Sequence, residues 1–115
     1  MEYSVPILHV ADATISVDWY GRLGFVVDWE HVFEPGLPRY VALNRGPARL
    51  HLSEHRLDGG EGTHVYVYAD DVDAVVSGVA VAVEDRPWGM REARLTDPDG
   101  NVIRLGTRST DSIRD

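Results

Sequence analysis

Histidines stand at positions 9, 31, 51, 55 and 64, and cysteine is absent. Imidazole can hold a transition metal or move a proton near neutral pH. The lack of cysteine excludes disulfides and thiolate metal sites. A histidine beside a carboxylate can act as a general base, with Glu54 and Glu92 as candidate partners. Neither a Gly-x-Ser-x-Gly nucleophile motif nor a phosphate loop is present. A second group with chemical potential is Pro87-Trp88-Gly89, followed by Arg91 and Glu92. Proline stiffens this loop and glycine permits close approach. An indole held there can stack on a planar heteroaromatic ligand or pack at a subunit seam. Arg91 and Glu92 can fix polar groups of that ligand or pair with each other. Trp19, in line with Ile15 and Leu23, reads as core, and Trp29 as core or interface.

The elements that must position these residues follow from pattern and punctuation. Strands are expected at 4–10, 25–32, 40–43 and 48–53, with a helix between the first two. Asp12 is its N-cap, Ile15, Trp19 and Leu23 its apolar stripe, and Gly24 its end. Glu34-Pro35-Gly36 is a turn and 44–46 a hairpin loop. Polar, glycine-rich residues 54–62 form a linker, and the order then repeats. Residues 63–69 are a strand, and Asp70 or Asp71 caps a short helix carrying Val72, Val75 and Val76. Alternating Val79, Val81 and Val83 predict a strand. Residues 91–96 and 101–105 form a hairpin around Asp97-Pro98-Asp99-Gly100. The expectation is an α+β fold of two tandem βαβββ modules, a single domain over 1–115 with halves of about 1–54 and 63–108.

Charge and composition narrow the partners. Nineteen Asp and Glu against 11 Arg and Lys give −8, which argues against nucleic acid and anionic membranes. The same acidity would steer a cationic ligand inward, or only keep the protein soluble. No apolar run is long enough to span a bilayer, and the first residues lack the features of an export signal. A cytoplasmic location is the expectation.

Several segments together resemble the glyoxalase/bleomycin-resistance/extradiol-dioxygenase (vicinal oxygen chelate) superfamily. Asp12 to Phe25, with Trp19-Tyr20 and Leu23-Gly24-Phe25, is similar to its helix and entry strand. Asp28-Trp29-Glu30-His31, Phe33-Glu34-Pro35-Gly36, residues 50–55 and 87–92 resemble its bleomycin-resistance branch. Thr96-Asp97-Pro98-Asp99-Gly100-Asn101 matches the last hairpin of the whole superfamily. The resemblance covers nearly the entire chain. Val72 to Gly78 is a departure, shorter than the helix of relatives by about one or two turns.

The resemblance implies a curved mixed sheet around a cavity, and four positions where metal-dependent relatives carry His, Glu or Gln. These fall on Val5, His51, His64 and Arg104. Valine donates no electron pair and arginine repels a divalent ion. His51 and His64 alone fall short of the three protein ligands of catalytic sites. They are expected to line the cavity as neutral hydrogen-bonding groups, with no metal or other cofactor. His9, His31 and His55 read as solvent-facing or pocket-lining groups. By resemblance Trp88 helps sandwich a flat ligand and Tyr40 falls near the family's other stacking aromatic. The expected ligand site is Trp88, Tyr40, His51, His64, Arg91, Glu92 and Arg104. The expected function is metal-independent sequestration of a planar, cationic small molecule by a homodimer. The alternative is a metal-dependent lyase, isomerase or dioxygenase.

Overall fold

The computed structural model describes residues 1–32 and 34–109. Phe33, part of the Phe33-Glu34-Pro35-Gly36 motif, and residues 110–115 lie outside the described residues. In chain order the elements are β1 (Ile7–His9), α1 (Ala13–Gly21), β2 (Val26–His31), β3 (Tyr40–Arg45) and β4 (Ala48–Ser53). Then come β5 (His64–Tyr68), α2 (Val72–Val75), β6 (Val83–Arg86), β7 (Met90–Thr96) and β8 (Val102–Arg108). The chain is thus βαβββ twice. Each module makes a four-stranded mixed sheet, ordered β1-β4-β3-β2 and β5-β8-β7-β6. In both, the first strand pairs parallel with the last, and hairpins supply the antiparallel pairs.

Helix α1 begins where expected. The Asp12 carboxylate accepts hydrogen bonds from the backbone N–H of Thr14 (2.9 Å) and Ile15 (3.4 Å), satisfying donors that a helix start leaves free. Its buried stripe differs from the expected one. Ala13, Ser16, Tyr20 and Leu23 are buried, Trp19 is half-buried against the core, and Ile15 is 56% exposed. The reason lies 77 to 83 residues on, in the turn between β7 and β8. Tyr20 Oη donates to Asp97 Oδ2 at 2.8 Å, and Ser16 Oγ approaches Asp99 Oδ2 at 3.5 Å. Asn101 Nδ2 donates to the His9 carbonyl at 3.0 Å, and Ala11 N–H to Asp99 Oδ1 at 2.9 Å. The turn that carries the superfamily motif is therefore the joint between the modules. Asp97 and Asn101 are both buried there, fully engaged by hydrogen bonds. Burial and the neighbouring Asp97 carboxylate push the Tyr20 phenol far up, so it remains a donor.

One apolar core runs through both modules, from Leu8, Leu50 and Leu52 to Val72, Ile103 and Leu105. Each such fully buried side chain contributes about 2 kcal/mol. The linker crosses the outer edge of β1 at Gly59, whose φ is +77°. A Cβ there would lie 2.6 Å from the His9 nitrogen, so only glycine permits this approach.

The second module departs from expectation at one segment. Asp71 caps α2, which has only four residues. The strand expected from Val79 begins only at Val83. Val79 and Val81 lie in irregular chain and pack against the core. Their alternation thus reflects packing of one side of an irregular segment against the core and not a ladder.

Candidate functional site

Each sheet has one face against the helices and one open face. On the first, Trp29, Ala42 and His51 form one cross-strand row. The small Ala42 lets the flanking rings lean together, to 5.3 Å between centroids. Tyr40 lies stacked on Trp29 at 5.8 Å and 12°. Its hydroxyl is hydrogen-bonded to His51 Nδ1 at 2.8 Å. Burial lowers the His51 pKa, which favours neutral imidazole. Burial raises that of Tyr40, with a smaller push from Asp58. Trp29, Tyr40, His55, Leu57 and Asp58 line a cavity of about 620 Å³. Ser53 Oγ fixes Asp58 by donating to it at 2.7 Å.

On the second sheet the centre is Glu92, 4% exposed. It accepts hydrogen bonds from Tyr66 Oη (2.7 Å), Arg104 (2.8 Å) and Trp88 Nε1 (3.1 Å). Burial alone would raise its pKa, but the bonds from Arg104, Tyr66 and Trp88 together outweigh it and bring it down to about 2. Tyr66, half-buried and donating to this carboxylate, is pushed up to about 12. Its hydroxyl reaches Glu92 by passing over Gly106, where an added Cβ would overlap the phenol oxygen. Arg104 lies 5.4 Å over the Tyr66 ring and Arg86 5.9 Å over Trp88. Trp88 is thus tethered by its N–H while 60% of its surface stays exposed.

The structure brings Trp88, Glu92 and Arg104 together on one sheet, and Tyr40 and His51 on the other. His64 is exposed, two residues before Tyr66 and therefore on the same open face. Arg91 is placed elsewhere. It faces the helix side, where it pairs with Asp73 (2.8 and 3.0 Å) and Asp85 (3.4 Å). It does not pair with Glu92, because successive strand residues point to opposite faces. Neither candidate carboxylate partners a histidine. The Glu54 oxygens accept the backbone N–H groups of Ala13 and Arg39, at 2.8 and 2.9 Å. Sequence reasoning missed Tyr66, Arg86 and Asp58. Tyr66 has the strand parity of His64, which was a usable signal.

The four positions that the resemblance implies for a metal, Val5, His51, His64 and Arg104, do not fit a cation. Val5 offers no donor and the Arg104 guanidinium is bonded to Glu92. His51 Nδ1 is engaged by Tyr40. Among the described residues no group of three or more His, Asp or Glu is arranged to hold a metal ion.

Solved structures of known proteins match this fold. A bleomycin resistance determinant encoded on the transposon Tn5 is 25% identical, with a TM-score of 0.73 over 94% of this chain and 98% of that one. A bleomycin-binding protein solved in complex with bleomycin is also 25% identical, with a TM-score of 0.72 over 95% and 100%. TnmS3, an antibiotic-binding protein from Streptomyces sp. CB03234, is 26% identical, with a TM-score of 0.71 over 95% and 97%. Among proteins of curated function, none matches this sequence. No helix among the described residues is long and apolar enough to cross a membrane. With residues 1–112 matching the family model for glyoxalase superfamily proteins, and a fold of two βαβββ modules, the chain belongs to the glyoxalase superfamily.

Proposed function

We propose that the protein binds and sequesters a planar small molecule without a metal, in pockets that two copies of the chain complete. The observation that carries this reading is Trp88. An indole that is tethered by its N–H to a buried carboxylate, yet exposed on its face, is prepared for stacking at little ordering cost. Tyr40, His51, His64, Glu92 and Arg104 are the other residues assigned to the ligand. Arg91, paired on the far face, supports a structural role instead. The structural likeness to bleomycin-binding and antibiotic-binding proteins supports the same reading. The chain's charge of −8 supports a ligand with positive charge, through long-range steering. Trp29, Tyr68 and Trp88 are 46%, 78% and 60% exposed on the open faces, which supports a second copy covering them. The cytoplasm is the compartment expected for such a cysteine-free protein.

Titration of tryptophan fluorescence with bleomycin and other planar antibiotics tests the reading. Trp88→Ala should weaken binding by about 1–3 kcal/mol, the range of a desolvated aromatic anchor. Binding unchanged in that variant would refute it. Light scattering should show a dimer, and a monomer at micromolar concentration would remove the composite pocket. Elemental analysis of protein purified without chelator decides the metal question. One equivalent per chain, lost in His51→Ala, would favour a metal-dependent lyase, isomerase or dioxygenase.

A further inference from the structure

The open face of the second sheet does not share the acidity of the chain. Directly opposite residues on paired strands share a face, as do residues two apart on one strand. By that register Arg86, Arg94, Arg104 and Arg108 lie on the open face with Glu84 and Glu92. The two glutamates are cross-strand neighbours, and both are already engaged. Arg86 is 3.5 Å from Glu84 and 3.8 Å from Glu92, and Arg104 is 2.8 Å from Glu92. Arg94 differs. It is exposed, directly opposite Arg104, and among the described residues has no carboxylate within ion-pair distance.

Like charges directly opposite on a sheet repel. In open water the repulsion is weak, but it strengthens when a ligand or a second copy covers the face. An oxyanion between the two guanidinium forks would relieve it, and a carboxylate matches that fork geometry. The row continues from Arg94 through Arg104 to Tyr66, whose ring lies 5.4 Å under the Arg104 guanidinium. The tethered Trp88 joins the same network through Glu92. An aromatic surface thus adjoins a cationic pair that lacks a second counter-charge.

We propose that Arg94 and Arg104 together hold a carboxylate carried by the planar ligand, a reading that rests on the open face being the ligand site. The net charge of −8 acts at long range and is screened over about 8 Å at physiological salt. The arginine pair acts at contact. A planar zwitterion satisfies both, with its acidic substituent on the arginines.

The test uses three matched probes: anthraquinone-2-carboxylate, its carboxamide and its 2-aminomethyl analogue. Each is titrated calorimetrically into the full chain, its Arg94→Gln variant and its Trp88→Ala variant. The wild type should bind the carboxylate about tenfold more tightly than the carboxamide, as expected for one charge-assisted pair. Arg94→Gln should reduce that preference to about twofold or less, while its melting temperature stays level or rises as the like-charge pair is removed. Trp88→Ala should weaken all three probes together. Equal affinity for carboxylate and carboxamide, or an undiminished preference in Arg94→Gln, overturns the carboxylate proposal and leaves the planar-ligand reading standing. Binding of none of the probes overturns both.

Discussion

Replacing Glu92 by Gln keeps the shape of the side chain and removes its charge. The carboxyl is 4% exposed and accepts hydrogen bonds from Tyr66, Arg104 and Trp88. Its pKa falls from 4.5 to about 2. At about 1.36 kcal/mol per unit, that displacement is worth about 3 kcal/mol. The Arg86 and Arg104 side chains are each 38% exposed, so water screens part of it, and about 2 kcal/mol is the expected loss. The sign follows from the direction. A carboxyl whose folded pKa lies below its unfolded value stabilises fully above the unfolded value, and the contribution disappears as pH falls through the folded one. The difference in urea-derived stability between wild type and Glu92→Gln should therefore be about 2 kcal/mol at pH 7 and change little down to pH 5.5. It should close towards zero near pH 2. Ultraviolet titration adds a second readout, since Tyr66, pushed up to about 12, should ionise at lower pH in the variant. A difference below about 0.5 kcal/mol at pH 7, typical of an exposed pair, or one constant from pH 7 to pH 2.5, would refute the assignment of Glu92 as the charged hub.

Tyr20→Phe removes the donor to buried Asp97 across the joint, and should lower urea stability by about 1–2 kcal/mol; no change would mean that the joint is carried by its other bonds, from Ala11, Ser16 and Asn101. Gly106→Ala puts a methyl group where the Tyr66 hydroxyl passes, so the phenol must leave Glu92. Its melting temperature should fall and its Tyr66 titration should move towards the ordinary value, whereas an unaltered titration would show that the strand yields instead. Asp12→Ala removes the cap of α1 and should cost about 1 kcal/mol by chemical denaturation.

The βαβββ repeat was legible because its boundaries are chemical: the Asp12 cap, the Asp97–Gly100 turn and the 54–62 linker. The orientation of α1 was not. Ser16 is polar and Ile15 apolar, yet the distant turn selects the face carrying Ser16. Parity alone could have separated Arg91 from Glu92 and grouped Arg94 with it, once residues 91–96 were read as a strand. Trp29 could not be placed that way. A bulge between Val27 and Trp29 reverses the alternation of β2, bringing the indole to the open face. The pairing of Tyr40 with His51 also needed the strand register, which no local pattern prints.

The joint at Asp97–Asn101 has a consequence for how the protein tolerates being cut. It ties the last hairpin to the first strand and helix through Tyr20, His9 and Ala11, residues far away along the chain. The covalent link through 54–62 is then one of two fasteners between the modules, and the shared core is common to both sides of it. A break between Gly60 and Glu61, beyond the close approach of Gly59 to β1, removes no hydrogen bond of that joint. Two separately expressed fragments would hold complementary halves of one apolar interior, each exposed without the other. Fragments 1–60 and 61–115 are therefore expected to associate when mixed, and a chain nicked between Gly60 and Glu61 to elute as one assembled species in gel filtration.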